Sequence, residues 1–342
     1  MRALLGALLL FTLSAAAPAR PVADAPLQMP EMHLHDPWIV ADKDSETYYL
    51  FTRNEAVMTG DHQLGIMVYA SHDLKHWSKP KLAFALPSGT WAKAGSWAPE
   101  VHSWRGRHYL FATFHDESAK LPVKGYRRAT ILAVSDKVDG PYTVVRNGEP
   151  IVPQDQMTLD GTLYVDPAGK PWLVYAHEWL QNTIGTIEAM PLNDDLSSTG
   201  EAKLLFHANE ADWAVGQKQP NGDLAYVTDG PELFRTKSDT LLMLWSSYGK
   251  AGYVQALARS RSGEIEGPWE QLGPLVERDS GHGMLFHAFD GRLMIIVHRP
   301  FTGARGKLYE MRDTGDRVEV VREATELDGE RCPTHPKPKK AC

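Results

Sequence analysis

The chain is 342 residues long, 43% hydrophobic and 23% charged, with a formal net charge of -7 and a pI near 6.1. That content supports a substantial buried core and excludes a disordered chain. The acidic balance, with no long basic run before the extreme C-terminus, excludes nucleic acid and anionic membrane as the main partner. Ten Trp, twelve Tyr and 28 Gly suit a turn-rich all-β protein, and aromatic faces beside fixed polar groups are a common way to hold sugars.

Residues 1–19 carry one early Arg, an uncharged run over 3–17 and small residues before Pro18. This is the plan of a cleavable secretory signal, so the mature protein is expected to be secreted or periplasmic. No later stretch reaches the 18 or more apolar residues of a membrane span. Residues 20–30 read as a lead-in, 31–325 as one domain and 326–342 as a solvated tail. Cys332 and Cys342, the only cysteines, lie in that tail, where oxidising conditions would join them into a small local loop.

From Leu34 the text LHDPWIVADKDSETYYLFT reads as a short strand opening on Asp36-Pro37, a polar turn and an aromatic strand; GIMVYASHDLKHWSKP adds a third strand and an outer edge over 71–77. The same order of parts returns from Ser96, from Leu159, from Asp229 and from Gly281. Equivalent starts at Asp36, Trp97, Asp160, Gly230 and His282 lie 61, 63, 70 and 52 residues apart, a period with room for four strands each. Five such units close naturally into a five-bladed β-propeller, which protects sheet edges and gathers every first strand around one channel. A two-sheet sandwich is the competing architecture, but the turn pairs Arg105-Gly106, Gly169-Lys170 and Asp290-Gly291 fall at one place in their copies. Each copy holds its four strands consecutively, so the last blade is expected to close the ring by packing on the first. The irregular loops 89–95 and 212–222 are candidate walls of a pocket on one face.

First strands that share a channel bring Asp36, Asp160 and Glu232 to its mouth. Glycosidic hydrolysis needs such a set: a protonated carboxyl for the leaving oxygen and an ionised one to activate water. Crowded negative charge raises the pKa of one member. Each residue alone also suits a plain role: Asp36-Pro37 and Asp160-Gly161 as turns, Glu232 as a solvated strand end. Their coincidence at the starts of three blades favours chemistry. Glu100, Asp116 and Asp166 lie at comparable strand ends and are placed behind them.

The strings HDPWIV, WAPEV, LDGTLYVD, DGPELF and GHGMLF, in this order, resemble the family 43 glycoside hydrolases, and the resemblance covers nearly the whole mature chain. It implies a five-bladed propeller, inversion at the anomeric centre and action on arabinose- or xylose-containing glycans of plant cell walls. By that resemblance Asp36 is the general base, Glu232 the general acid and Asp160 the residue that orients the acid and tunes its pKa. Trp97 is an apolar wall for a sugar ring, and His282 points into the channel, where related enzymes often place a histidine on a bound calcium ion or a water cluster; no other cofactor is implied. Arg299 and His35 are further candidates for contacting sugar hydroxyls, the bland reading of Arg299 being a salt bridge between blades.

The expected function is a secreted inverting glycosidase on an oligo- or polysaccharide, releasing a terminal α-L-arabinofuranosyl unit. β-Xylosidase, endo-arabinanase and galactofuranosidase are alternatives within the family. A glycan-binding propeller without catalysis and a glycoside phosphorylase are the rivals outside that reading.

Overall fold

The computed structural model describes residues 25–328. The expected signal segment 1–19 and both cysteines lie outside the described residues.

The second strand of each repeat is apolar on both faces: Thr47–Arg53 is TYYLFTR, Pro171–His177 is PWLVYAH, and Leu293–Arg299 is LMIIVHR. A strand apolar on both sides must be covered on both sides, and radial stacking of sheets provides this. The result is five sheets of four antiparallel strands, each in sequence order from the axis outward. Blade 1 uses Trp38–Asp42, Thr47–Arg53, Gly65–Ser71 and Lys81–Ala85, and blade 2 uses Ala94–Trp104, Arg107–Lys120, Tyr126–Ser135 and Thr143–Val144. Blade 3 uses Thr158–Val165, Pro171–His177, Thr186–Pro191 and Lys203–His207. Blade 4 uses Asp229–Arg235, Leu241–Gly249, Gly252–Ser260 and Trp269–Val276; blade 5 uses Gly281–His287, Leu293–Arg299, Arg305–Asp313 and Val318–Glu323. The chain is therefore a five-bladed β-propeller, and its hydrophobic clusters lie in the seams between neighbouring blades.

Among the described residues no strand is exchanged between blades 5 and 1. The seam is packed instead, with Ile39 N–H on Met284 Sδ, Leu34 N–H on the Ala304 carbonyl and Arg305 Nε on the Pro30 carbonyl. Gly306 leaves room for Met29, since a Cβ there would stand 2.7 Å from the Met29 sulfur. Among the described residues no helix is long and apolar enough to cross a membrane.

Two local readings are corrected. The outer strand of blade 1 is Lys81–Ala85 rather than 71–77. Residues 71–77 form a turn in which Asp73 Oδ1 accepts the Lys75 and His76 amides and Ser71 Oγ accepts that of Leu74, bonds that compete with a ladder. The loops 89–95 and 212–222 do not line the cavity at the channel mouth; Gln217–Lys218 of the second pairs with Leu224–Ala225, just beyond it, as a separate ribbon.

Candidate active site

The site is built by one backbone device repeated around the ring. At the start of blades 2 to 5 the first strand carries an extra residue: Trp97 and Glu100 face Thr113 and Phe111, and the same three-against-two spacing recurs at 159–162, 229–232 and 281–284. The bulged residue is left-handed in each case: Ala98 at φ 46°, Asp160 at 54°, Gly230 at 49° and His282 at 48°, with Asp36 at 51° in the equivalent place of blade 1. Non-glycine residues adopt this conformation at a cost, and a ring of them is a mark of a functional site. Gly230 is the one glycine, and a Cβ there would stand 2.9 Å from the His282 ring.

The bulge sorts side chains into two tiers. His35, Asp36, Trp97, Asp160, Asp229 and His282 face a cavity of about 400 Å3 at the channel mouth, and Asp36 and His282 also border the passage that leads down from it. Trp38, Glu100, Glu232 and Met284, two places beyond the left-handed residue in four of the five blades, face this narrow passage of about 10 Å3, together with Ala98 and Gly230. The rim of the cavity is completed by Arg53, Arg128, Glu178, Trp179, Tyr248, Tyr253 and Phe301.

Asp36 and Asp160 are thus brought together, and His282 stands between them, its Nδ1 3.4 Å from Asp36 Oδ1 and 3.8 Å from Asp160 Oδ2. Asp36 also has His35 Nδ1 at 2.8 Å and His298 Nδ1 at 3.2 Å from Oδ1, and its backbone N–H donates to His298. Burial alone would raise the Asp36 pKa, but His282, His35 and the His298 contact hold it well below the usual range. Burial lowers His282, yet Asp36, Asp160 and Asp229 outweigh it and raise its pKa, which favours the charged ring among these carboxylates.

Asp229 differs. Burial and the neighbouring Asp160 push its carboxyl well above the normal range, against His282. Its Oδ2 accepts the Tyr253 hydroxyl at 2.9 Å, and Asp160 Oδ2 accepts the Gly230 amide at 3.0 Å, which ties the two acidic segments together. Asp160 is itself raised, by burial first and by Asp36, with His282 opposing.

Glu232, expected as the general acid, does not reach this cavity. It sits in the passage below, where both carboxylate oxygens accept the Leu285 amide at 2.9 and 3.2 Å and Glu100 is the neighbouring charge. Arg299 also lies away from the cavity, on Glu323 and on the Tyr309 hydroxyl at 2.7 Å. His35, Trp97 and His282 do line it. The sequence reading missed Asp229, Arg128, Glu178 and Tyr253. Asp229 was legible: once Gly230 is matched to Asp160, Asp229 is the residue before the bulge and Glu232 falls in the lower tier. The rim residues come from second and third strands and carry no such signal.

His282 is a poor match to calcium, which takes oxygen ligands: its Nδ1 stands between Asp36 and Asp160, 3.4 and 3.8 Å from their oxygens. Among the described residues, the groups close enough to share a metal are His35, Asp36 and His298. Two imidazoles with one carboxylate do not match an ion that takes oxygen ligands.

The family model for glycosyl hydrolases family 43 matches residues 30–317. The chain belongs to that family. Its propeller is similar to the crystal structure of an endo-arabinase from Bacteroides thetaiotaomicron VPI-5482, at 36% identity and TM-score 0.76, over 84% of this chain and 98% of that one. An endo-1,4-beta-xylanase of the same organism shares the fold at 22% identity and TM-score 0.67, over 85% of this chain and 94% of that one. The extracellular endo-alpha-(1→5)-L-arabinanase 1 of Bacillus subtilis (strain 168) is 26% identical over 153 residues, 43% of this chain and 44% of that protein. The chain spans about half the length of the curated relatives it matches, 51% of one and 44% of the other.

Proposed function

We propose that this family 43 chain hydrolyses α-L-arabinofuranosyl linkages of plant cell-wall type glycans with inversion, releasing a terminal unit. One observation carries the reading: two carboxyl groups face the same cavity in opposite company, Asp36 beside His35 and His282, which lower its pKa, and Asp229 buried beside Asp160, which raises its own. Asp36 takes the proton of the water that attacks the anomeric carbon. Asp229 gives its proton to the departing glycosidic oxygen. Tyr253 already donates to Asp229 Oδ2, which leaves Oδ1 to carry that proton. Asp160 orients the acid through the Gly230 amide and, by its charge, keeps the proton in place. The acid role thus passes from Glu232 to Asp229.

The arabinan reading is supported by the 36% identity to the endo-arabinase, and the terminal-unit reading by the aromatic side chains of Trp179, Tyr248 and Phe301 that line the cavity. The same relative favours a second reading, endo-arabinanase action. The secretory plan of residues 1–19 puts the substrate outside the cytoplasm. The test is a panel of aryl glycosides of arabinofuranose, xylose and galactofuranose together with linear arabinan, with products separated by size. Release of monosaccharide from the arabinofuranoside and from arabinan ends supports the proposal, and release of oligosaccharides selects the endo reading. Hydrolysis of xyloside or galactofuranoside alone replaces the sugar, and hydrolysis of none by folded protein overturns the enzymatic reading.

A further inference from the structure

The cavity has a charged wall that proton transfer does not use. Arg128, on the third strand of blade 2, reaches across the blade seam to Glu178, which follows the second strand of blade 3. Arg128 Nη1 donates to Glu178 Oε1 and Nη2 to the Tyr126 hydroxyl, while the guanidinium plane lies over the Trp97 ring, 4.9 Å from its centre, and over Tyr126 at 5.0 Å. Arg128 and Glu178 are 7% and 3% exposed. A buried ion pair adds little stability over a well-packed apolar pair, so its place on a cavity wall calls for a reason other than folding.

Three features point to recognition. Arg128 Nε has no hydrogen-bond partner, so the buried guanidinium is incompletely satisfied. The wall is rigid: the turn opened by Glu178 is pinned by Gln181, whose Oε1 accepts the Met157 amide at 2.8 Å and whose Nε2 donates to the Asp155 and Lys124 carbonyls at 2.9 and 3.2 Å. His177 Nε2 adds a bond to Gln181 Oε1 at 2.7 Å. Finally, Trp97 presents an apolar ring beside the pair.

We propose that Arg128 and Glu178 form a donor and acceptor clamp for sugar hydroxyls, and thereby set which sugar the cavity accepts. A hydroxyl both donates and accepts, so it satisfies a carboxylate and a guanidinium together. Glu178 cancels the charge that a phosphate or uronate would seek at Arg128. A sugar without the matching hydroxyl leaves buried charged groups unpaired, the strongest form of discrimination a pocket offers.

The inference rests on the glycosidase reading above, and the test separates the two. kcat/KM is measured on an aryl α-L-arabinofuranoside and its 2-, 3- and 5-deoxy analogues with wild type, Arg128→Lys and Glu178→Gln. The wild type should lose about 10- to 100-fold on at least one deoxy analogue. Each variant should show a similar loss on the parent glycoside and no further loss on that analogue, a non-additivity that a merely structural role would not produce. Equal losses by a variant on every analogue, or full activity of both variants, overturn the clamp. Circular dichroism and the unfolding midpoint confirm that the near-isosteric Glu178→Gln protein is folded. If the wild type cleaves another glycoside of the panel, the deoxy series is run on that sugar, so the arabinofuranosyl reading falls while the clamp is judged by its own cycle. If it cleaves none and arabinotriose gives no heat of binding, both fall.

Discussion

The two tiers of the central channel make an instructive pair. Both hold carboxylates at or just before the starts of first strands, Asp36, Asp160 and Asp229 above, Glu100 and Glu232 below, and desolvation is the leading cause that raises Glu100, Glu232, Asp160 and Asp229 alike. What separates them is access and company. The upper acids share a cavity of about 400 Å3 and the His282 ring, so they can meet a substrate, and their pKa values are pushed in opposite directions. The lower pair has about 10 Å3 of free space; Glu232 is satisfied by the Leu285 amide, and Glu100 has His102 Nε2 at 2.9 Å. A perturbed carboxyl is therefore a sign of burial first, and of chemistry only where a reactant has room.

The contrast is broken most directly by one substitution in each tier. Asp36→Asn should lower kcat by ~10³-fold or more, whereas Glu232→Gln should stay within about 10-fold of wild type; a Glu232→Gln enzyme as dead as Asp36→Asn would return the acid role to the lower tier. Next, Asp229→Asn should cost ~10²- to 10⁴-fold on substrates with poor leaving groups and under about 10-fold on nitrophenyl glycosides, which need no protonation. Equal losses on both would remove Asp229 as the acid.

His282 sharpens the upper tier. Its charge helps to hold Asp36 ionised, so His282→Gln should raise the Asp36 pKa and move the acid limb of the kcat/KM profile to higher pH, with a fall of about 10-fold at neutral pH. An unmoved acid limb would show that His35 and His298 suffice.

The smallest effect is on stability. The Glu232 pKa is raised in the folded state, so its proton is bound more tightly there than in the unfolded chain. The associated stability is complete below the unfolded value of about 4.3 and is lost as pH rises toward the folded pKa. Glu232→Gln, which keeps an oxygen for the Leu285 amide, should therefore gain on the wild type as pH rises from about 4.3, with an unfolding midpoint higher on the order of 2–4 °C at neutral pH. A midpoint difference independent of pH would show that Glu232 is not held protonated.

Much of the architecture was legible in the residues. Apolar second strands and Gly-bearing hairpins at a regular spacing imply radial blades, because a two-faced apolar strand has few other ways to be covered. The motif order likewise brought Asp36, Asp160, Trp97 and His282 to one end of the channel. The third carboxylate was misplaced because Asp229 and Glu232 lie in one hexapeptide, DGPELF, and three residues of strand move a side chain from one tier to another once a bulge intervenes. Hairpin Asp-Gly pairs announce turns, whereas a left-handed Ala98 or His282 has no compositional signature.

The amino-acid order by itself determined the repeat, the closed ring and the identity of the acids available on first strands, since periodicity and turn chemistry are local properties. Which acid meets solvent, which histidine carries charge and which charged pair walls the cavity were decided only in three dimensions. Those properties depend on bulge geometry and on burial shared between blades, and neighbours such as Arg128 and Glu178, fifty residues apart, are set side by side only when the ring is closed.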